Sequence, residues 1–396
     1  MKCLHILYLY MGEVESIVLK VLSTRCSVQL CRAGEENGLQ KDGWDLVVLQ
    51  DAVYCLLQTS FCHKLKKYPW LFVSTRPDIR GYMAPATNLF GVVNLSGINL
   101  SLWGIPKELQ VRLDYPVEKV ADWYFYEQHP EVCRIAYCPT GNSVQENDFK
   151  LISFVQKTNA FLTIVSDRYR ALANAFPPFV RVVPEKDGLA VFKKSHLVVA
   201  SGQDAVCALA VCKPCVVLGD CGLGGLVTPA NYEQLQSVSF SGRKGGCPGE
   251  FVPIDLLETE IRTVFSSDCK EEMLALRKKV LAVYGMDCFS TSLTGEVERI
   301  TALSARLKSR KGRFELKPFR SSVFRVEELD GKMYIMRGLQ CLGEIEDEMA
   351  GLLKQCDGTV TVSDLIGRNG FEPEDVVILW ENLYALWKEK LILFAL

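Results

Sequence analysis

The chain has little of what marks the common specialised classes. Its 396 residues carry 45 Lys and Arg against 47 Asp and Glu, a net charge of −2. No global field therefore draws it to nucleic acid. No stretch of about 18 uncharged apolar residues occurs, so no membrane-spanning helix is expected. The opening apolar run stops at Glu13, too soon for a secretion signal and without a small-residue cleavage site; it reads as a first strand. Histidine is scarce, with four in all. The 16 cysteines are scattered, and only Cys212 and Cys215 have Cys-x-x-Cys spacing. Two ligands fall short of the four that a structural zinc needs, so no metal site is expected. The cysteines read as small buried hydrophobes, which suits a cytoplasmic location. What remains is an ordinary folded composition, 48% hydrophobic and 23% charged, in a length that suits two or three domains.

Strand-length apolar runs recur along the first third: Leu4–Tyr10, Asp45–Leu49, Trp70–Ser74 and Phe90–Asn94, with a helical interval at Val14–Leu22. That pattern predicts an α/β domain around a parallel sheet. The run Val111–Glu118 breaks at Pro116 and closes this first domain, residues 1–117. A second series follows at Arg134–Tyr137, Phe161–Val165, Val180–Val183, Leu197–Ala200 and Cys215–Gly219. Helical patterns at Asp148–Thr158, Glu271–Val283 and Leu293–Leu307 complete a domain of residues 118–310. The charged stretch Lys308–Lys317 reads as a linker to a last domain, residues 318–396. There Asp330-Gly331 between two β-rich runs predicts a type I′ hairpin, followed by helices at about Glu344–Cys356 and Glu372–Trp387 and a strand at Leu391–Phe394.

Ligands of an open parallel sheet sit beyond the carboxyl ends of its strands. This directs attention to the loops after Tyr137, Val165, Ala200 and Gly219. The densest signal is Ser201–Leu235. It reads as a turn (Ser201, Gly202, Gln203, Asp204), a helix Ala205–Val211, Lys213-Pro214, a buried strand Cys215–Gly219, a glycine loop (Gly222, Gly224, Gly225) and a helix from near Pro229. A helix N-terminus facing a glycine loop favours an anion, because free N–H groups and the positive dipole end converge there.

The same order resembles the donor half of GT-B glycosyltransferases, group 1-like. In those enzymes a Ser/Gly turn opens a helix, an Ala-rich segment ends in Lys-Pro, and a glycine loop follows. Here Ala205-Val206-Cys207-Ala208-Leu209-Ala210-Val211-Cys212-Lys213-Pro214-Cys215-Val216-Val217 matches that segment. The resemblance implies two Rossmann-like α/β domains in GT-B arrangement, the first on the acceptor side. It implies transfer of a sugar, of hexosyl type, from a nucleotide-sugar to an unknown acceptor, without a bound cofactor or metal. Donor-binding positions carried over are Ser201, Gly202, Gln203, Asp204, Gly222, Gly224 and Gly225, with Gly141 and Asn142 in the diphosphate loop and Gly12 after the first strand. Two positions depart from the pattern. Cys207 stands where the family has the Glu that grips the donor ribose, and a thiol does not accept hydrogen bonds as a carboxylate does. The family's Arg and Lys pair for phosphate has no match, leaving Lys150 and Arg168 nearby. Asp204 is the nearest carboxylate, as a donor contact or a helix cap. Candidates for a general base are Glu13, Asp51 and Asp78, each also suited to a surface or capping role.

The last domain resembles PqqD-like peptide-recognition domains of winged-helix type, through Leu352-Leu353, Asp357-Gly358, Thr361-Val362, Leu365-Ile366, Leu383 and Leu391-Ile392. That resemblance implies a peptide or protein partner. It also supplies an alternative function, a catalytically degenerate GT-B scaffold whose tail holds that partner. Glu372, Glu374, Asp375, Glu381 and Glu389 give the last helix an acidic character, which phosphates would repel.

Overall fold

The structure is a computed structural model that describes residues 3–36, 39, 43–51, 59–75, 88–95, 100–103, 105–117, 132–140, 146–158, 160–266 and 270–396. Two compact units make up the chain. One joins Met1–Asp114 to Ser290–Leu396, and the other is Tyr115–Phe289.

The first unit opens with β1 (Leu4–Tyr10), α1 (Ser16–Ser23), β2 (Cys26–Arg32), β3 (Leu46–Gln50), α2 (Thr59–Leu65), β4 (Trp70–Ser74), β5 (Leu89–Asn94) and β6 (Gln110–Arg112). The strands form one sheet in the order β2-β1-β3-β4-β5-β6, with every pairing parallel. β3, β4 and β5 are buried along their whole length, which is why their sequences run apolar without alternation. Leu9, Val47, Leu49, Phe72 and Val92 pack one face with Trp44 and Trp70.

The second unit holds β7 (Arg134–Tyr137), α3 (Glu146–Thr158), β8 (Phe161–Val165), β9 (Val180–Val183), α4 (Gly188–Lys194), β10 (Leu197–Ala200), α5 (Gly202–Ala210), β11 (Cys215–Gly219), β12 (Gly222–Leu226), α6 (Tyr232–Ser237), α7 (Ile254–Ser266) and α8 (Lys270–Tyr284). Its sheet runs β12-β11-β10-β7-β8-β9. The period of two sorts the side chains between its faces. Val198, Ala200 and Val217 pack with Leu209 of α5 and Leu276 of α8. Val199 and Val216 point the other way, into a cluster with Leu151 of α3 and Ile261 of α7.

One expectation is corrected here. The glycine stretch is not a loop. Gly222–Leu226 is the edge strand β12, paired antiparallel to β11 with a register shift between Val217 and Leu218.

The chain then returns to the first unit through α9 (Met286–Lys308). Arg299 Nη2 on α9 donates to Phe90 O at 2.8 Å and pairs with Glu296 at 2.7 Å. Gly91 lacks the Cβ that would collide with Glu296 Oε1, so α9 can lie close on β5. After α9 come β13 (Lys317–Arg320), β14 (Arg325–Leu329), β15 (Lys332–Arg337), β16 (Gln340–Ile345), α10 (Asp347–Gln355), α11 (Val362–Asn369), α12 (Pro373–Lys388) and β17 (Ile392–Ala395). The charged stretch expected as a linker is folded. Leu316 is buried and its carbonyl accepts from Val362 N at 2.9 Å. Asp330 and Gly331 take φ of 53° and 75°, the two left-handed positions of the expected type I′ turn. The hairpin is extended by β16 into a three-stranded meander, so α10 starts at Asp347 rather than at Glu344. β17 pairs antiparallel with β13.

Candidate functional site

The turn Ser201–Asp204 lies at the carboxyl end of β10, at the centre of the second sheet. Ser201 caps α5 in extended conformation, without a side-chain bond to the helix. Gly202 takes φ 55°, which turns the chain from strand to helix in one residue. Its N–H donates to Phe240 O at 3.0 Å. The remaining amides of the first turn have no acceptor within the helix and face outward with the positive dipole end.

A second segment closes on this turn. Residues 239–250 fold back over the end of β11. Cys221 N donates to Ser241 O at 2.9 Å, Arg243 N to Cys221 O at 3.2 Å and Gly249 N to Asp220 O at 2.8 Å. Gly219 is what lets the three strands of chain meet. A Cβ there would collide with Ser241 O and would sit 2.9 Å from Ser201 Cβ. Gly242 has φ 141°, and a Cβ would lie 2.5 Å from Cys221 C. Ser201, Gly219, Ser241 and Gly242 thus form one backbone-lined cradle. Arg243 and Lys244 follow it directly. Arg243 Nε pairs with Glu250 Oε1 at 2.6 Å, which raises the guanidinium pKa and lowers that of the carboxyl. Lys244 is exposed. Two cationic side chains, Arg243 and Lys244, thus stand beside the cradle. Lys150 is occupied elsewhere: it pairs with Glu146 at 3.0 Å and donates to Val252 O at 2.8 Å.

The other expected donor residues divide. Gln203 Nε2 donates to Tyr115 O at 2.8 Å, tying the turn to the entry of this unit. Asp204 accepts a hydrogen bond from the Cys138 thiol, at the end of β7. Burial raises the Asp204 pKa, and that bond opposes the rise. Burial, with Asp204 nearby, pushes the Cys207 thiol up to about 12. Cys207 is therefore a neutral thiol at physiological pH. Gly222, Gly224 and Gly225 are closely packed. A Cβ on Gly224 would lie 2.8 Å from both Gly242 O and Leu235 Cδ2; Gly222 faces the Glu250 side chain, and Gly225 the Glu260 carboxylate. Glu260 Oε2 in turn accepts from Leu226 N at 2.7 Å.

In the first unit, Gly12 (φ 76°) and Glu13 follow β1 in an exposed turn. Gln50 holds that turn, donating to Glu13 O at 3.0 Å and accepting from Glu15 N at 2.9 Å. Asp51 is buried, and both its oxygens accept from Thr75, one from N at 2.8 Å and one from Oγ1 at 2.7 Å. Asp78, Gly141 and Asn142 lie outside the described residues. Among the described residues, no His, Cys, Asp and Glu group is arranged to hold a metal, and no helix is long and apolar enough to cross a membrane.

No protein-family model matches the chain, and no curated protein matches it. Solved structures do. The lipopolysaccharide outer core galactosyltransferase WaaB, in apo form, matches with a TM-score of 0.50 and 12% identity, over 74% of this chain and 99% of that one. HepE (Alr3699) of Anabaena, solved in complex with UDP-glucose, matches with a TM-score of 0.50 and 10% identity, again over 74% and 99%. Identity this low speaks for fold alone. The mixed α/β fold with parallel-strand sheets is similar to that of these two proteins.

Proposed function

We propose that the chain transfers a sugar from a nucleotide-sugar to an acceptor, holding the donor diphosphate at the turn that opens α5. The observation that carries this reading is the cradle at the carboxyl ends of β10 and β11. It combines the first turn of α5, the bare backbone of Gly219 and Gly242, and the cations Arg243 and Lys244. Charge grows on the diphosphate as the glycosidic bond breaks. Preorganised amides, the helix dipole and nearby cations stabilise that charge without reorganising. In this reading no metal is needed. Asp204 replaces the missing family Glu as the carboxylate nearest the ribose, because Cys207 stays a thiol. Of the first unit's candidate carboxylates, Asp51 is ill suited to accept a proton, because both its oxygens are taken by Thr75. The UDP-glucose held by HepE supports a nucleotide-sugar as the donor class.

The test is a screen of UDP-, GDP- and TDP-sugars by thermal shift and calorimetry. A true donor at about 100 times its dissociation constant stabilises the fold by roughly 2–3 kcal/mol, and Lys244→Gln weakens it severalfold. Absence of binding by every nucleotide-sugar at millimolar concentration refutes the reading.

A second reading concerns the tail. β16 pairs only with β15 among the described residues and is exposed along most of its length. We infer that the tail is a recognition module that takes a peptide, and an open strand edge of this kind accepts an added strand.

A further inference from the structure

We propose that the groove between α10 and α12 docks a cationic, leucine-type peptide segment of a partner polypeptide. The inference rests on the tail being a recognition module and is independent of glycosyl transfer.

The groove has a volume of about 640 Å³ and is walled by one face of each helix. On α10, residues 348, 349, 352 and 355 line it; on α12, residues 375, 378, 379 and 382 do. Both sets follow helical spacing. Leu352 and Leu379 are buried at its base, Met349 and Phe371 supply further apolar lining, and Gln355, Asn369 and Asn382 add amide groups. The wall continues into solvent: Ile378 is 57% exposed, and Val377 beside it on α12 is 53% exposed. Two adjacent aliphatic side chains left in water beside a concave base of buried leucines mark a surface built to be covered.

The rim identifies the occupant. Glu346, Glu348 and Asp375 line the groove, and among the described residues no Lys or Arg does. Arg368, on α11, acts on Asp357 and Asp364 instead. Acids in the first turns of α10 and α12 also suit the helix dipoles. That role explains the charges but not the exposed Ile378. An anionic lipid surface or a nucleic acid would meet three carboxylates at the rim and be repelled. A segment that alternates aliphatic side chains with Lys or Arg satisfies floor and rim together. Met in such a wall lets the groove adapt to differently shaped side chains.

The experiment uses the full chain and fluorescence anisotropy. The probe is a fluorescein-labelled twelve-residue peptide of Leu with Lys and Arg. Matched peptides carry Gln or Glu at every basic position, and a further one keeps the charge but replaces Leu with Ser. The variants are Glu346→Gln with Glu348→Gln, and Ile378→Ser, all at exposed positions. The cationic Leu probe is expected to bind at least tenfold tighter than the Glu and Ser versions. The double amide variant should lose fivefold or more together with most of the salt dependence, and Ile378→Ser should lose as much at every salt concentration. Equal binding of the Glu peptide overturns the charge assignment while leaving peptide capture standing. Failure of all four peptides overturns the recognition reading itself. Equal binding of the Ser peptide, or binding untouched by both variants, overturns the groove. Self-association that Ile378→Ser abolishes makes a second copy the occupant and overturns the proposal.

Discussion

Replacing Lys213 by Met should make the protein more stable at neutral pH. Lys213 follows α5, between Cys212 in left-handed conformation (φ 57°) and Pro214 at the entry to β11. Its amide bonds back to Ala208 O at 3.0 Å, and the residue is only 2% exposed. No carboxylate pairs with it among the described residues. Burial lowers its pKa from 10.5 to about 8. The folded chain thus releases this proton near pH 8, while the unfolded chain keeps it to about pH 10.5. Between those values the unfolded state binds more protons, so stability rises with pH; below pH 8 the full cost of the buried charge is present. The gap corresponds to ~3 kcal/mol at 1.36 kcal/mol per pH unit. Met keeps the length of the stem and carries no charge. Urea unfolding of wild type and Lys213→Met, followed by circular dichroism, should show the variant ahead by about 3 kcal/mol at pH 7. The two curves should converge as pH approaches 10.5. Parallel pH profiles, or a variant less stable at pH 7, would falsify the assignment of a buried, unpaired charge.

Two further outcomes follow from the site. Gly224→Val should destabilise the second unit by about 1–3 kcal/mol through overpacking against Gly242 and Leu235, seen as a lower urea midpoint without any ligand present; an unchanged midpoint would show that β12 is loose. Cys207, with its thiol pushed up to about 12, should resist iodoacetamide at pH 7.5, whereas exposed Cys3, Cys247, Cys288 and Cys341 react. Peptide mass mapping reads the difference, and modification of Cys207 as fast as Cys247 would contradict its environment.

The buried strands were legible because a parallel strand covered on both faces must be apolar throughout. Leu4–Tyr10, Trp70–Ser74, Leu197–Ala200 and Cys215–Gly219 all appear as read. β12 was misread because three glycines in five residues argue against a strand. Its conformation is set by pairing with β11 and by the close approach of Gly242, neither of which is local. β16 was missed for a related reason. Gln340-Cys341-Leu342-Gly343-Glu344 has no alternation to betray a buried face, and becomes a strand only because β15 offers it an edge. At the candidate site, the turn Ser201–Asp204 carried its own signal, a polar cap before an apolar helix. The loop bearing Ser241, Arg243 and Lys244 did not, since its place depends on Gly219 admitting a carbonyl from a segment some twenty residues later. Asp51 looked free in sequence because its partner, Thr75, arrives from the next strand.

The pairing of β13 with β17 bears on how the tail is made. β13 is translated first and β17 last, with the meander and all three helices between them. As the nascent chain emerges, residues 356–358 can bridge one edge of β13, through Arg320 N to Cys356 O and Gly358 N to Pro318 O, but the edge that β17 takes stays open until Ile392–Ala395 leave the ribosome. The tail therefore acquires its closing contact after translation of its helices rather than step by step with them. A stop codon placed just before Ile392 would leave every helix intact in sequence, yet strand β13 with the edge that β17 takes uncovered and open to pairing with another chain.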